Sequence, residues 1–312
     1  MNTRLLAALR EGTADTQPGS PPVSIVTPSY NQRAWLGENL RSVAEQRYPD
    51  LEHIVMDGGS TDGSVELLER EASSVVRWES EPDRGQSHAL NKAFERAHGE
   101  IIGWLNSDDA FFDPFVVADV VDAFLEHPDV DVVYGHAALV NSEGLVLQLL
   151  WVPAWYQRIT EPLWRIHPFL VQPAVFVRRR AIGEQLVDER FEYTMDRELW
   201  LRLSRRHRFL RLGRVLAVDR HYMARKSLTL LEARDRDRTR LDTMYGLPKG
   251  SMVAPARKAL KILVRLAGLT LVPAAARAPS LSAHVDSPLR LAARQLLFLR
   301  RWMPDPTLRA WE

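Results

Sequence analysis

The stretch "IIGWLNSDD" at residues 101–109 decides the fold prediction, because a run of apolar residues stops directly before a polar tetrad. The apolar residues predict a buried strand. Asn106, Ser107, Asp108 and Asp109 then follow at its carboxyl end. This pattern is typical of a strand that serves as scaffold and presents polar groups to a cleft.

Three upstream segments repeat this arrangement of an apolar strand, a polar turn and a helix. They are "VSIVTPSYN" at 23–31, "LEHIVMDGGSTDGS" at 51–64 and "VVRWESEPDRGQ" at 75–86. Asp62 and Asp113 stand where a side chain caps the start of a helix. Strands that alternate with helices predict a doubly wound α/β sheet with parallel pairing, whose ligands bind at the carboxyl ends of the strands.

Composition excludes several classes of function. The chain has 312 residues with 46% hydrophobic content, enough for one large domain or a domain with an extension. A net charge of +1 gives no indication of a nucleic-acid partner. The absence of cysteine excludes disulfides, thiolate nucleophiles and Cys-ligated zinc. No run reaches the ~18 apolar residues of a membrane span, and the N-terminal apolar run is too short for a secretory signal, so we expect a cytoplasmic protein.

The end of the chain differs in character from the rest. Residues 253–312 carry ten Lys or Arg against three Asp or Glu, a local net charge of +7, within Leu-rich helical spacing. We therefore predict a flexible leader at 1–21, a catalytic domain at 22–245 and a basic amphipathic helical extension at 246–312. The extension either rests on an anionic membrane surface, at the inner face of the cell membrane, or on a partner, or it packs on the catalytic domain.

Four motifs in order carry a family resemblance, which runs from about Val23 to Ser227. They are "VSIVTPSYNQRAWLGENLRSVAEQRYPDLEHIVMDGGSTDGS", "EPDRGQSHALNKAF", "GEIIGWLNSDD" and "MDRELWLRL". The chain resembles the inverting family 2 glycosyltransferases of the GT-A fold. The resemblance implies a Rossmann-like, mostly parallel sheet that binds a nucleotide-diphosphate sugar. It also implies transfer of the sugar to a hydroxyl of a glycan or lipid-linked acceptor, in polysaccharide or other cell-surface glycan assembly, with Mg²⁺ or Mn²⁺.

The metal prediction follows from charge. Carboxylates would repel a diphosphate unless a hard cation lies between them. The family's Asp-x-Asp pattern falls on Asn106, Ser107 and Asp108, which makes Asp108 the predicted metal ligand. Asn106 departs from the pattern, and its amide can hold a ribose hydroxyl or a metal-bound water. His221 matches a family histidine that completes the metal site or touches the diphosphate, with a structural role as the alternative.

The resemblance also assigns residues around the nucleotide. The loop after the first strand surrounds the nucleobase, which implicates Thr27 and Tyr30, although "TPSYN" also suits a simple strand-to-helix junction. Asp57 ends the second strand, where a contact with the base or ribose is implied. Asp83 and Asn91 match residues that line the nucleotide pocket.

Other side chains are weaker candidates with ordinary structural alternatives. Arg84, His88 and Lys92 could neutralise phosphate or could belong to a solvated surface. The candidates for the acceptor side are Trp151, Trp155, Trp164 and Gln172.

An inverting displacement also needs a base. A carboxylate must take the proton of the acceptor hydroxyl from across the cleft. In "EYTMDRELWLRL" the resemblance assigns this role to Asp196, which the helix dipole would help to keep ionised. Glu198 is the reserve candidate, Glu192 lies nearby, and a plain helix cap is the alternative for Asp196.

Two other functions remain open at this point. Asn106 leaves room for a catalytically silent nucleotide-sugar-binding module. A nucleotidyltransferase also combines an α/β sheet with acidic metal ligands, but "VTPSYNQ" lacks the glycine-rich basic loop that such an enzyme normally has after its first strand.

Overall fold

The structure is a computed structural model that describes most of the chain. The described residues are 20–71, 76–152, 170–222, 230–246 and Pro255. Trp155, Trp164, nearly all of the leader and nearly all of the basic extension lie outside them. At the inner end of the leader, Pro21 is buried and its carbonyl accepts a hydrogen bond from Tyr48 at 2.7 Å.

A mixed α/β architecture is formed by nine strands and seven helices within the described residues. The strands are β1 (Val23–Ser29), β2 (Leu51–Asp57), β3 (Val76–Ser80), β4 (Ile101–Trp104), β5 (Ala110–Phe111), β6 (Val132–Val140), β7 (Val146–Leu150), β8 (Val175–Arg178) and β9 (Phe209–Arg220). The helices are α1 (Arg33–Ala44), α2 (Ser64–Glu71), α3 (Gln86–Arg96), α4 (Val116–Glu126), α5 (Arg179–Ile182), α6 (Met195–Ser204) and α7 (Leu231–Tyr245), and a 3₁₀ turn spans Gln172–Ala174.

The strands form one sheet in the order β3-β2-β1-β4-β8-β6-β9-β5, with β7 paired to β6. Strands β1 to β4 are all parallel, which confirms the predicted doubly wound half. In the second half β8 runs antiparallel between β4 and β6. Four of the eight strand pairings are parallel and four are antiparallel. The predicted α/β sheet flanked by helices is therefore confirmed, with a parallel first half and a mixed second half.

The central strands are buried on both faces. All seven residues of β1 and all four of β4 are buried, as expected for strands covered by helices on both sides. Gly103 lets β4 fit between its neighbours, because a Cβ there would lie 2.8 Å from Ile25 Cδ1 and 2.9 Å from Phe176 Cε1. The apolar stretch thus places the polar tetrad at the edge of a rigid scaffold.

Helices cover the sheet on each face. Leu90 and Phe94 of α3 pack with Leu199 and Trp200 of α6 in one buried cluster. A second cluster contains the apolar side of α4, including Phe124. Among the helices of the described residues, none is long and apolar enough to cross a membrane.

The two predicted helix caps differ in outcome. Asp62 Oδ1 accepts the backbone N–H of Ser64 at 3.0 Å at the start of α2, which confirms its capping role. Asp113 Oδ1 accepts the N–H of Phe115 at 2.9 Å just ahead of α4. Helix α4 begins at Val116 with Phe115 as its N-cap, so Asp113 lies too early to cap it. Asp113 instead forms a buried ion pair of 2.5 Å with Arg214 of β9.

The long strand β9 was not predicted, and it completes the site. It runs parallel to β6 and antiparallel to β5, where Ala110 pairs with Val218. This pairing brings the end of β9 beside the polar tetrad that ends β4.

Candidate functional site

The first wall of the site lies at the carboxyl ends of β1 and β2. Tyr30 is 61% exposed there. A Cβ on Gly58 would lie 2.7 Å from Asp83 Oδ2 and 3.3 Å from Tyr30 Cδ2. The structure therefore brings Tyr30 and Asp83 together, and glycine at 58 permits that close approach.

Asp57 is buried and organises the neighbouring turn. Its Oδ2 accepts the N–H groups of Gly59 at 3.1 Å and Ser60 at 2.8 Å, and the hydroxyl of Ser80 at 2.7 Å. Its Oδ1 accepts the hydroxyl of Ser60 at 2.5 Å. The carboxylate thus holds the ends of β2 and β3 together behind Asp83.

Thr27 and Asn91 lie in the walls of the cleft. The fully buried Thr27 hydroxyl donates to the Leu105 carbonyl at 2.7 Å and accepts from His53 Nε2 at 2.9 Å. The amide of Asn91 makes two hydrogen bonds with the backbone of Val187, at 3.0 and 3.1 Å. Both side chains thus support the walls of the cleft, and their contact with the nucleotide stays a prediction.

Asn106 is the centre of a hydrogen-bond network. Its Oδ1 accepts the indole N–H of Trp104 and the amide of Gln86, both at 2.8 Å. Its Nδ2 donates to Gln172 Oε1 at 2.8 Å and to Asp109 Oδ2 at 3.2 Å. Both ends of the amide are used, so Asn106 joins β4, α3 and the 3₁₀ turn and positions the tetrad.

Asp109 is held inside the protein. Its Oδ1 accepts the backbone N–H of Arg220 at 3.2 Å. Asn39 of α1 donates to the backbone carbonyls of Asn106 and Asp109, at 2.8 and 3.1 Å. The backbone of the tetrad is therefore fixed from two sides.

Asp108 remains partly exposed at this edge. Its Oδ2 lies 3.1 Å from the hydroxyl of Tyr222, which is also 3.3 Å from Gln32 Oε1. Burial raises the pKa of Tyr222, and the charge of Asp108 raises that pKa further, so Tyr222 stays protonated and donates. Asp108 is therefore the tetrad's carboxylate that faces the cleft.

Arg220 is a site residue that the sequence prediction missed. It is 2% exposed, and its guanidinium donates to the carbonyls of Asp108 and Asn141, both at 3.2 Å. It also forms an ion pair of 2.7 Å with Glu38 and lies 4.6 Å above the ring of Trp35. No local pattern in the sequence pointed to Arg220, because it ends a strand that was not predicted and its burial depends on distant contacts.

His221 follows β9 and is exposed. Its backbone N–H donates to the carbonyl of Val140 at 2.7 Å, which fixes the chain at the end of β6. Its neighbours in sequence, Arg220 and Tyr222, both contact Asp108. The structure thus places His221 in the same region as Asp108.

The residues at this edge fit a hard cation that also binds substrate oxygens. Among the described residues, no group of three or more His, Asp or Glu side chains is arranged to hold a metal. A carboxylate such as that of Asp108 supplies a hard oxygen ligand, and Mg²⁺ commonly takes one or two carboxylates together with substrate phosphates and water. Asp108 therefore offers a carboxylate to a metal whose other ligands would come from a diphosphate, and His221 lies in the same region of the fold.

The predicted base and its alternatives lie on and before α6. Asp196 is half-buried in the first turn, and its Oδ1 accepts the N–H of Arg197 at 2.7 Å. Glu198 is buried, pairs with Arg202 and accepts the hydroxyl of Tyr245 at 2.7 Å. These contacts give Glu198 a structural role and leave Asp196 as the candidate base.

Asp237 of α7 is a second residue that the prediction missed. It is fully buried, and its Oδ2 accepts the three consecutive backbone N–H groups of Glu192, Tyr193 and Thr194 at 2.9, 2.6 and 3.1 Å. These groups immediately precede α6. Asp237 therefore fixes the segment that carries Asp196.

The remaining candidates are occupied by protein contacts. Arg84 pairs with Glu189 at 2.8 Å, and Lys92 pairs with Glu81. His88 Nδ1 accepts the N–H of Arg84 at 3.3 Å. Gln172 also donates to the carbonyl of Trp104 at 2.6 Å, so it belongs to the Asn106 network.

Comparison with known protein families yields a match over more than half of the chain. Residues 24–186 match the model of glycosyl transferase family 2. A Mycobacterium tuberculosis protein described as an uncharacterized glycosyltransferase is 41% identical over 105 residues, which is 33% of this chain and 40% of that protein. TuaG of Bacillus subtilis, a glycosyltransferase assigned to teichuronic acid biosynthesis, is 40% identical over 94 residues, 28% of this chain and 36% of TuaG. The chain thus aligns with well under two thirds of these relatives' length.

Solved structures show the same fold at low sequence identity. Staphylococcus aureus TarS 1–349, solved with UDP-GlcNAc, has a TM-score of 0.55 at 18% identity, covering 67% of this chain and 61% of TarS 1–349. The mannosyltransferase PcManGT of Pyrobaculum calidifontis, solved with GDP-Man and Mn²⁺, has a TM-score of 0.55 at 20% identity, covering 99% of this chain and 88% of PcManGT. Both comparisons confirm the predicted GT-A fold.

Proposed function

The chain belongs to glycosyl transferase family 2, and from that premise we propose that it transfers a sugar from a nucleotide-diphosphate donor to an acceptor hydroxyl with inversion. The observation that carries this proposal is the arrangement at the carboxyl edge. There Asp108 faces the cleft, while the polar groups around it are engaged in holding the edge rigid. A preorganised carboxylate beside a nucleotide pocket suits diphosphate chemistry.

The donor would lie along the ends of β1 to β4. Tyr30 offers an exposed ring against which a base can stack, and Asp83 offers a carboxylate beside it. Relatives of this fold were solved with UDP-GlcNAc and with GDP-Man, which supports a nucleotide sugar as the donor class. Asp108, with His221 nearby, would hold Mg²⁺ or Mn²⁺. When bound, such a cation neutralises charge on the diphosphate leaving group.

Asp196 would act as the base. It would accept the proton of the acceptor hydroxyl as that oxygen attacks the anomeric carbon from the face opposite the diphosphate. Its place in the first turn of α6 favours the ionised form, because the helix N-terminus is positive. Asp237 keeps this turn in position through three backbone hydrogen bonds.

The assay for this role compares Asp196→Asn with the wild type. We expect turnover to fall by about 10²- to 10⁴-fold while donor affinity stays nearly unchanged, because a positioned base acts only in the chemical step. Glu192→Gln is the matched control, since Glu192 is exposed, lies in the same segment and pairs with Arg236. Wild-type turnover in Asp196→Asn, or loss of donor binding, would show that another group is the base.

A silent binding module is the second candidate, and one observation favours it. Asn106 supplies no charge to the metal site because an amide is neutral, and both ends of that amide already bond to protein groups. Release of nucleoside diphosphate separates the two candidates, since a binding module releases none.

Contact of residues 246–312 with the inner membrane surface is also part of the proposal. Their net positive charge and Leu-rich spacing support binding to anionic lipid. Flotation of the full chain with anionic vesicles at low salt tests it, and no co-flotation would count against surface binding.

A further inference from the structure

Three buried N–H groups without partners lie together in the second half of the sheet. His136 of β6 is 7% exposed, and its Nδ1 accepts the backbone N–H of Val152 at 3.1 Å. The ring proton is therefore on Nε2, which has no hydrogen-bond partner among the described residues. Burial lowers the pKa of His136 to about 3, so the ring is neutral and Nε2 is a donor.

Trp151 and Arg211 supply the other two groups. Trp151 Nε1 and Arg211 Nε are buried and likewise lack partners within the part of the chain that the structure describes. The rings of His136 and Trp151 lie 6.1 Å apart, and the Arg211 guanidinium lies 5.9 Å from the Trp151 ring centroid. Tyr134 of β6 pairs with Arg211 of β9. His136 lies two residues after Tyr134 on β6 and so on the same face, which places Arg211 and His136 on one face of the sheet.

This cluster contains donors and a positive charge. Arg211 donates through Nη1 to the carbonyl of Val152 at 3.2 Å, and no carboxylate of the described residues forms an ion pair with it. Buried donors that lack partners cost free energy, and a desolvated guanidinium without a counterion costs more. A ligand that removes both of these costs must accept hydrogen bonds from the donors and carry a negative charge for the guanidinium.

We propose that His136, Trp151 and Arg211 form a subsite for the carboxylate of an acidic sugar in the acceptor glycan. The single formal charge of the cluster matches one carboxylate better than a phosphate dianion. The subsite lies on β6, β9 and the end of β7, separated by β8 from the strands that would hold the donor. This inference rests on the proposed transferase function, because it assigns the second half of the sheet to the acceptor.

Nuclear magnetic resonance of the indole N–H groups tests binding directly. The chain has nine tryptophans, so the Trp151 signal is assigned by its loss in Trp151→Phe. Titration of the full chain with glucuronate should shift this signal saturably, whereas glucose, the neutral counterpart, should not. No shift with glucuronate, or a shift with inorganic phosphate alone, would overturn the proposal.

Variants of Arg211 test the charge. Arg211→Met should abolish the glucuronate shift, and Arg211→Lys should keep part of it. Arg208→Met is the matched control, because Arg208 is exposed just ahead of β9 and pairs with Asp129. The other indole signals report whether each variant is folded. Retention of the full shift in a folded Arg211→Met variant would contradict the assignment.

Kinetics separate this inference from the proposed function. With an acidic acceptor glycan, Arg211→Met should raise the acceptor KM by about 10- to 100-fold, the value of one charged hydrogen bond, while the donor KM is unchanged. With the carboxyl-reduced acceptor, variant and wild type should behave alike. Equal acceptor KM values for variant and wild type on the acidic glycan would refute the subsite and leave the transferase function intact.

Discussion

Replacement of Asn106 by Asp should destabilise the protein, although it recreates the Asp-x-Asp pattern at residues 106–108. The amide donates from Nδ2 to Asp109 Oδ2 at 3.2 Å and to Gln172 Oε1 at 2.8 Å. A carboxylate keeps the two hydrogen bonds that Oδ1 accepts but loses both donated ones. It also places a second negative charge against the buried Asp109.

The variant can either keep both carboxylates ionised or hold a proton on one of them, and the less costly state sets the loss of stability. Two unit charges separated by the 3.2 Å of the present bond repel by about 5 kcal/mol at an effective dielectric constant of ~20. Holding a proton on a carboxyl group of ordinary pKa at pH 7 costs about 4 kcal/mol. Protonation is the cheaper route, so we expect a loss of about 4 kcal/mol in the free energy of unfolding at pH 7. This loss should shrink as the pH falls towards the ordinary carboxyl pKa.

Urea unfolding at pH 7 and at pH 5, in the presence of chelator, measures this effect. Asn141→Asp is the matched control, because Asn141 Oδ1 accepts the N–H groups of Glu143 and Leu145 and a carboxylate keeps both bonds. The control should stay within about 0.5 kcal/mol of the wild type. If Asn106→Asp were as stable as the control, or more active than the wild type, the network would not have the positioning role described here.

Two further predictions concern groups buried around the site. Asp237→Asn should lower turnover by about tenfold or more with little change in donor KM, because it weakens the anchoring of the segment ahead of α6. The control Asp235→Asn, on the exposed side of the same helix, should leave turnover unchanged. Equal kinetics of the two variants would refute the anchoring role of Asp237. Burial lowers the pKa of His53 from 6.5 to about 3. Between these pH values the unfolded chain binds a proton that the folded chain does not, so the free energy of unfolding should fall as the pH drops from 6.5 towards 3. The loss from His53 should be about 2 kcal/mol at pH 5 relative to pH 7, and a pH dependence of unfolding that is unchanged in His53→Gln would contradict this.

The first half of the fold could be predicted because local pattern and global architecture agree there. Strands β1, β2 and β4 are largely apolar segments that end in a polar turn, and Asp62 marks the start of α2. Strands that are buried on both faces consist of nearly uninterrupted hydrophobic residues, which makes them easy to recognise in a sequence. The position of the polar tetrad at the sheet edge followed from the same rule.

The second half could be predicted only in part, because long-range pairing decides it. Strand β9 contains an apolar run at residues 215–218, but its partners β6 and β5 lie far away in sequence. Arg220 and Asp237 sit in charged stretches that are typical of solvated surfaces. Their burial depends on contacts with Asp108 and with the backbone ahead of α6, which no local pattern shows.

The same limit explains why the predicted pocket residues separate into two groups. Tyr30, Asp83 and Asp108 are exposed or partly exposed at the cleft. Thr27 and Asn91 turn inwards and bond to the backbone. Position at a strand end is visible in the sequence, whereas the direction of a side chain depends on the neighbours that bond to it.

The central claim is that Asp108 supports metal-dependent transfer from a nucleotide sugar, and release of nucleoside diphosphate tests it most directly. The full chain is incubated with a panel of UDP and GDP sugars, with Mn²⁺ or with excess EDTA, beside Asp108→Ala. We expect release with one donor class in the presence of Mn²⁺, and loss of that release both with EDTA and in Asp108→Ala. Full release in EDTA or in Asp108→Ala, or donor binding by the wild type with no release at all, would contradict it.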